Sequence, residues 1–276
     1  MRVLALFLLL LVAAVVFGGI AYFGYTMLVS PAKEEKAERV AAAAAAAATP
    51  EATPEPGLDA FESAMAMVAD RERIFDAIAA LQQFVTTYPN ASVIGEAKSA
   101  LGELNATVVY TTIDSPEKQI YTVVSGDSLA RIAGRTNTSA ELILRSNNLA
   151  SIDLQIGQVL KIPQLDTAIV VDRATSTLTV FNNNTFFKEY LLLAPVPGAA
   201  GLDTSVREKI AMRDGKRVIF GGADYPGSER SIILEQNAPA IRGGSATAPG
   251  GGIVVNQSDI EEIFPLVTRG TRVIIR

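Results

Sequence analysis

The sequence predicts a multi-domain chain. In order, it reads as a transmembrane helix (1–30), a spacer (31–57), an α-helical hairpin segment (58–107), an α+β module of βααβ order (119–164) and a mostly-β domain (166–276). Three observations predict this. Val3 to Val29 carries no charge, which is a membrane pattern. From Leu58 onward, apolar residues recur at helical spacing. Past Tyr121 the pattern changes to short apolar or alternating runs broken by Gly, Asn and Pro, which is the pattern of strands and turns.

The first 30 residues read as an anchor. A helix over Val3–Val29 would measure roughly 40 Å, against the roughly 30 Å of a bilayer core. A cleaved leader has an apolar core of only about 7–15 residues, so the run predicts an uncleaved span. Tyr22, Phe23 and Tyr25 suit the membrane interface. Lys33, Lys36 and Arg39 follow the span and only Arg2 precedes it, so charge alone would weakly place the body in the cytoplasm. Eight alanines, Ala41–Ala48, then lead into a stretch holding Pro50, Pro54 and Pro56. This segment has nothing with which to form a core and reads as a spacer, averaging roughly 30 Å end to end as a flexible coil.

Composition removes whole classes of chemistry. The chain has 276 residues with 24 Lys+Arg, 29 Asp+Glu, no Cys and no His. Thiolate nucleophiles, imidazole bases, disulfides and nearly all zinc chemistry are therefore excluded, and neither a cofactor nor a metal is predicted. Carboxylates, Lys, Tyr, Ser or Thr would have to carry any catalysis. The net charge of −5 and the absence of a basic block argue against a nucleic-acid partner.

In the helical segment, Ile74, Phe75, Ile78, Leu81 and Val85 recur near helical spacing, and Tyr88-Pro89 breaks the run. A second helix follows with Ile94, Ala97, Leu101 and Leu104 on one side. The stretch from Leu81 to Asn105 resembles one helical hairpin of the tetratricopeptide kind. A full array needs about three repeats, so a packing module and a peptide-binding groove both stay open.

Residues 120–163 are the most informative. Tyr121-Thr-Val-Val reads as a strand, and Ser125-Gly126-Asp127-Ser128 as a turn and helix N-cap. Leu129, Ile132 and Ala133 give one apolar helix face. Thr138-Ser-Ala-Glu141 predicts a capping box opening a second helix, with Ala140, Ile143, Leu144 and Asn147 along one side. Gly157 to Pro163 returns as a strand. This stretch resembles a LysM domain in its opening YTVVSGDSLARIA, its central NNL and its closing IDLQIGQVLKIP. The resemblance implies binding of N-acetylglucosamine-containing glycan, in bacteria peptidoglycan. It also implies a groove between two loops, here Gly126, Asp127, Ser128 and Leu129 on one side and Ile152, Asp153, Leu154 and Gln155 on the other. Leu129, Ile152 and Leu154 are expected as an apolar floor. Gly126 and Asp127 would also serve the turn itself.

In the last segment, Ala168–Asp172 and Leu178–Phe181 predict two strands, with Asn182-Asn-Asn184 as a hairpin turn. Further strands are expected at Arg217–Phe220, Ser231–Leu234 and Thr271–Ile275. A helix is expected to open at Asn256, with Ser258 and Glu261 in capping-box spacing. The run from Ile169 to Phe181 and the run from Asn256 to Arg276 resemble the opening hairpin and the closing helix and strand of the L,D-transpeptidase catalytic domain. That family carries a His-Gly element and a Ser-His-Gly-Cys-Ile/Val-Arg element. By the resemblance, Arg242 stands at the first histidine, and Gly250, Gly252 and Val254 stand at the second histidine, the cysteine and the arginine. Without Cys or His the family's mechanism cannot run, which implies an inactive member.

These readings combine into a bitopic bacterial envelope protein. It would be held in the inner membrane by residues 3–29 and bind peptidoglycan glycan strands through LysM, with its body on the periplasmic or wall side. Two alternatives remain: a scaffold recruiting an active cell-wall enzyme, and an enzyme using non-Cys chemistry near Ser245.

Overall fold

The structure is a computed structural model that describes residues 55–198, 201–245 and 251–276. The apolar run 3–29, the spacer up to Pro54 and Gly250 lie outside the described residues. Among the described residues, no helix is long and apolar enough to cross a membrane. Residues Pro56–Arg276 pack as one compact unit.

Among the described residues, three helices come first: α1 (Leu58–Val68), α2 (Ile74–Thr87) and α3 (Ile94–Tyr110). The expected hairpin is thus present, preceded by a helix, with its second arm running on to Tyr110. Ile74, Ala77, Leu81 and Phe84 are the buried face of α2, at the spacing that one side of a helix requires. The Phe84 ring lies 5.6 Å from that of Phe61 on α1. After Tyr88, Pro89 cannot continue the helix.

The second layer is β1 (Lys118–Thr122), α4 (Leu129–Arg135), α5 (Ala140–Ser146) and β2 (Val159–Pro163), with β1 and β2 antiparallel. Ile132, Ile143, Leu160 and Ile162 are fully buried between the helices and the strand pair. Asn147, just past α5, holds the far strand. Its Oδ1 accepts from the Lys161 backbone N–H at 2.7 Å, and its Nδ2 donates to the Lys161 carbonyl at 2.9 Å.

The remaining strands are β3 (Thr167–Asp172), β4 (Thr177–Asn182), β5 (Thr185–Leu191), β6 (Leu202–Arg213), β7 (Lys216–Val218), β8 (Glu229–Leu234), β9 (Ile241–Gly243), β10 (Ile253–Val255) and β11 (Arg272–Ile275), with α6 (Gln257–Leu266) before the last. Among the described residues they form one sheet in the order β10-β9-β8-β6-β11-β3-β4-β5, with β7 on β6. Most neighbours are antiparallel, whereas β11 pairs parallel to β3 and β10 parallel to β9. Asn183 and Asn184 both have positive φ, so the β4–β5 hairpin turns as its sequence predicts. The strand expected at 217–220 is shorter and starts earlier, because the chain leaves β6 after Val218.

Two capping expectations are corrected. The helix α6 starts one residue after Asn256, so Ser258 sits in its first turn rather than at its cap. The helix α5 is capped by Ser139, not Thr138: Ser139 Oγ accepts from the Leu142 N–H at 3.1 Å. That places Glu141 at the second helical position, too early to reach back as a capping box needs.

Glu141 is instead buried against the sheet. Its Oε1 accepts from Arg230 Nη1 on β8 at 2.6 Å, and its Oε2 accepts from the Tyr225 hydroxyl at 2.6 Å. The Arg230 side chain is only 4% exposed. Burial and the Glu141 carboxylate together push the Tyr225 hydroxyl pKa well above its ordinary value.

The C-terminal end of α6 gathers every layer. Pro265 has no N–H, so the Glu261 carbonyl loses its helical donor, and Arg145 Nη1 on α5 donates to it at 2.7 Å. Tyr110 Oη on α3 donates to the Glu262 carbonyl. Lys209 on β6 donates to Phe264 O at 2.7 Å, Ser139 to Pro265 O at 2.6 Å, and Thr167 on β3 to Leu266 O at 3.1 Å. The helices are also tied to the sheet directly. Lys188 on β5 pairs with Glu103 on α3 and with Glu262 on α6, at 2.8 and 3.0 Å.

Removing one partner of a buried ion pair strands the other charge. Glu141→Ala is therefore expected to cost about 3–5 kcal/mol in urea unfolding. The double variant Glu141→Ala with Arg230→Met should recover much of that loss. A cost under about 1 kcal/mol for the single variant would show that the pair does not hold the two layers together.

Candidate functional site

The two loops expected to form a groove lie at one end of the βααβ module. Val123 donates to Gln158 O at 2.9 Å and Gly157 donates to Val123 O at 2.8 Å, so the strand pairing continues up to both loops. In the first loop Gly126 has φ +83, a left-handed conformation that a side chain would strain. Asp127 fixes the turn. Its Oδ2 accepts from the Val124 N–H at 3.0 Å and from Tyr121 Oη at 2.8 Å, and its Oδ1 pairs with Arg135 on α4. The Val124 N–H, more than the neighbouring Tyr121 and Arg135 contacts, holds the Asp127 carboxyl below its ordinary pKa. Ser128 is the N-cap of α4, its Oγ accepting from Arg131 N–H at 3.3 Å.

Leu129 does not form the groove floor. It is 2% exposed and packs inward against the module's core, because the first residue after an N-cap faces the side that α4 buries. In the second loop Ile152 is exposed and Leu154 is half-buried on the module's core. Asp153 N–H donates to Ser151 Oγ at 3.2 Å, and Gln155 N–H donates to Gln158 Oε1 at 3.1 Å. Gly126, Ser128, Asp153 and Gln155 are exposed along the two rims, with Ile152 as the apolar element beside them. Polar backbone and amide groups beside an aliphatic side chain suit a sugar that bears an acetamido group.

The residues that hold the first loop, Tyr121 and Arg135, were not singled out by sequence. The available signal was the spacing: Arg135 lies two helical turns beyond Asp127, on the face of α4 that returns to the loop. A second element missed by sequence is the loop between β7 and β8, which reaches the βααβ module. A Cβ at Gly221 would lie 2.8 Å from Ile152 Cδ1, and Phe220 packs against the module's core.

Of the positions inferred at a degenerate catalytic centre, Arg242 lies on β9, Val254 on β10 and Gly252 just before β10, while Gly250 lies outside the described residues. Arg242 and Val254 face each other in the parallel register. Arg242 Nε donates to Gly251 O at 2.6 Å, and a Cβ at Gly252 would lie 3.7 Å from that Nε. The same Cβ would meet the Ala240 carbonyl oxygen at 2.7 Å, and Gly252 has φ +105. Position 252 therefore admits glycine only, unless the two strands separate. Among the described residues, no cluster of three or more Asp, Glu, Cys or His could hold a metal ion.

These features define a small two-loop binding module seated on a mostly-β domain. Residues 121–163 match the LysM domain family, so the chain carries a LysM domain over that span. Similar solved structures are L,D-transpeptidases. That of Mycobacterium smegmatis is 10% identical, covers 44% of this chain and 64% of its own, and has a TM-score of 0.30. L,D-transpeptidase 1 of Mycobacterium tuberculosis is 12% identical, covers 42% and 65%, and scores 0.29. The catalytic domain from E. faecium is 16% identical, covers 40% and 97%, and scores 0.26. The chain thus spans just under two thirds of the two mycobacterial chains.

Two outcomes follow. With its pKa depressed, Asp127 stays charged and holds the turn from neutral pH down through the ordinary carboxyl range of about 3.9, and releases it only in stronger acid. Asp127→Ala is expected to show at pH 7 the Val124 amide exchange that the wild type shows only in acid; unchanged exchange would place the turn's support elsewhere. Separately, Gly252→Cys is expected to lower stability by about 1–3 kcal/mol through backbone strain and contact with Ala240. A neutral result in thermal unfolding would show that the strands yield freely.

Proposed function

We propose that this protein binds peptidoglycan glycan strands through its LysM domain and that its C-terminal domain is a non-catalytic, L,D-transpeptidase-like partner to that domain. The observation that carries the reading is the LysM match over 121–163, whose two groove loops lie at one end of the module. The absence of any cysteine or histidine supports the non-catalytic part. Transpeptidation of the family's kind needs a thiolate to attack the acyl carbonyl and a base to move its proton.

Residues 3–29 serve in this reading as the inner-membrane anchor, with the body on the wall side, where its ligand is. The glycan lies across the exposed rims of Gly126, Ser128, Asp153 and Gln155, its acetamido groups bonded to loop backbone and its apolar face against Ile152 and Leu154. An active cell-wall enzyme is the natural protein partner, since binding alone would then direct chemistry to the strand that the LysM domain holds.

The test is co-sedimentation of the full-length, detergent-solubilised protein with purified peptidoglycan sacculi. Wild type should pellet, and Leu154→Ala combined with Gln155→Ala should weaken retention about tenfold, or about 1.4 kcal/mol. Wild type remaining in the supernatant would end the glycan assignment. Formation of cross-linked product from purified stem peptides would end the non-catalytic one.

A further inference from the structure

The strongest unassigned feature is a cleft of about 700 Å³ between the LysM domain and the C-terminal domain. One wall is the α5–β2 loop, with Ser151, Ile152 and Asp153; the other is the β7–β8 loop, with Phe220, Tyr225 and Pro226. Its size falls in the range of small-ligand sites. Ile152 and Asp153 belong to this cleft and to the LysM groove rim at once, so a single loop divides the two spaces.

The chemistry of the walls narrows the occupant. Arg230 is engaged by Glu141 and lies 3.5 Å from Glu261, and Arg145 donates to the Glu261 carbonyl and covers the Tyr110 ring at 4.2 Å. The cationic groups at the base are thus matched within the protein, and a charged ligand gains little there. What lines the opening is the half-buried Phe220 ring, braced by the buried Tyr225 ring perpendicular to it at 5.3 Å, together with the exposed Ile152, Asp153 and Pro226. An aromatic surface beside hydrogen-bonding groups suits an uncharged ring with an apolar C–H face and peripheral hydroxyls. The far wall is fixed in advance: Tyr225 N–H donates to Gly222 O at 3.1 Å, Ser228 N–H to Tyr225 O at 3.2 Å, and the Tyr225 hydroxyl to Glu141. A preformed wall spares a ligand the cost of ordering it.

We propose that this cleft is a second carbohydrate subsite, built jointly by the LysM and C-terminal domains, that takes further sugar residues of a glycan already lying in the LysM groove. The inference rests on the glycan-binding reading above. It gives the C-terminal domain a direct part in recognition, through Phe220 with Tyr225 holding that ring in place, without any catalysis.

The experiment is calorimetric titration of the full-length protein in detergent with short and long N-acetylglucosamine oligomers. Wild type should bind long oligomers at least tenfold tighter than short ones. Ala150→Trp, which fills the cleft from an exposed position on its LysM side, should bind short oligomers as wild type does and lose the gain for long ones. Pro226→Trp, from the opposite wall, should do the same. If both variants keep the gain, or if wild type shows none, the subsite is refuted. If wild type binds no oligomer of any length, the LysM reading fails, and the subsite with it.

Discussion

The architecture depends on how one helix end is satisfied. A helix leaves its last carbonyls without intrahelical donors, and burying them unpaired is costly. In α6 the problem is enlarged by Pro265, which also frees the Glu261 carbonyl. The donors come from elsewhere: Tyr110 on α3, Ser139 and Arg145 at α5, Thr167 on β3 and Lys209 on β6. Each segment that contributes a donor is oriented by doing so. Lys209 shows the cost of the arrangement, since burial lowers its pKa to about 8 even though it faces a helix C-terminus that favours cations. The helical segment, the LysM domain and the sheet are thereby held around a common point.

The Glu141–Arg230 pair adds direction to that assembly. A buried pair of this kind is weak evidence for net stability, because desolvation offsets much of the attraction. Its contribution here is registration: Glu141 on α5 can meet both Arg230 and Tyr225 in only one placement of the LysM domain on β8. Both loops that line the cleft are therefore set at a fixed separation, in contrast to a LysM domain carried on a free linker.

What was legible in the sequence was local. The helical hairpin, the βααβ order, the Asn183–Asn184 turn and the β3, β4, β8 and β11 strands all announce themselves by spacing or by turn residues. The unread strands were β5, signalled only by the turn before it, and β6, β9 and β10. Along β6, which is twelve residues long, buried and exposed positions do not alternate cleanly, because it pairs with β11, β8 and β7 in turn and shifts register between Val206 and Glu208. Glu141 misled for a related reason: its spacing from Thr138 satisfied a local rule, while its partner lay 89 residues away on β8. Leu129 is where the two readings parted: its spacing with Ile132 and Ala133 predicted the buried helix face it occupies, while the LysM resemblance implied a place in the groove floor. The groove loops could be named from sequence, but the wall opposite Ile152 could not, since nothing near residues 219–227 signals contact with residues 151–153.

Gly252 has a consequence for which substitutions the chain can accept. With φ +105 and the Ala240 carbonyl 2.7 Å from where a Cβ would sit, the backbone closes the space that any side chain would occupy. A single codon change to cysteine would meet that closure before it could be selected for reactivity. The positive φ and the close carbonyl act together as a lock: placing any side chain here requires several coordinated changes, none favourable by itself.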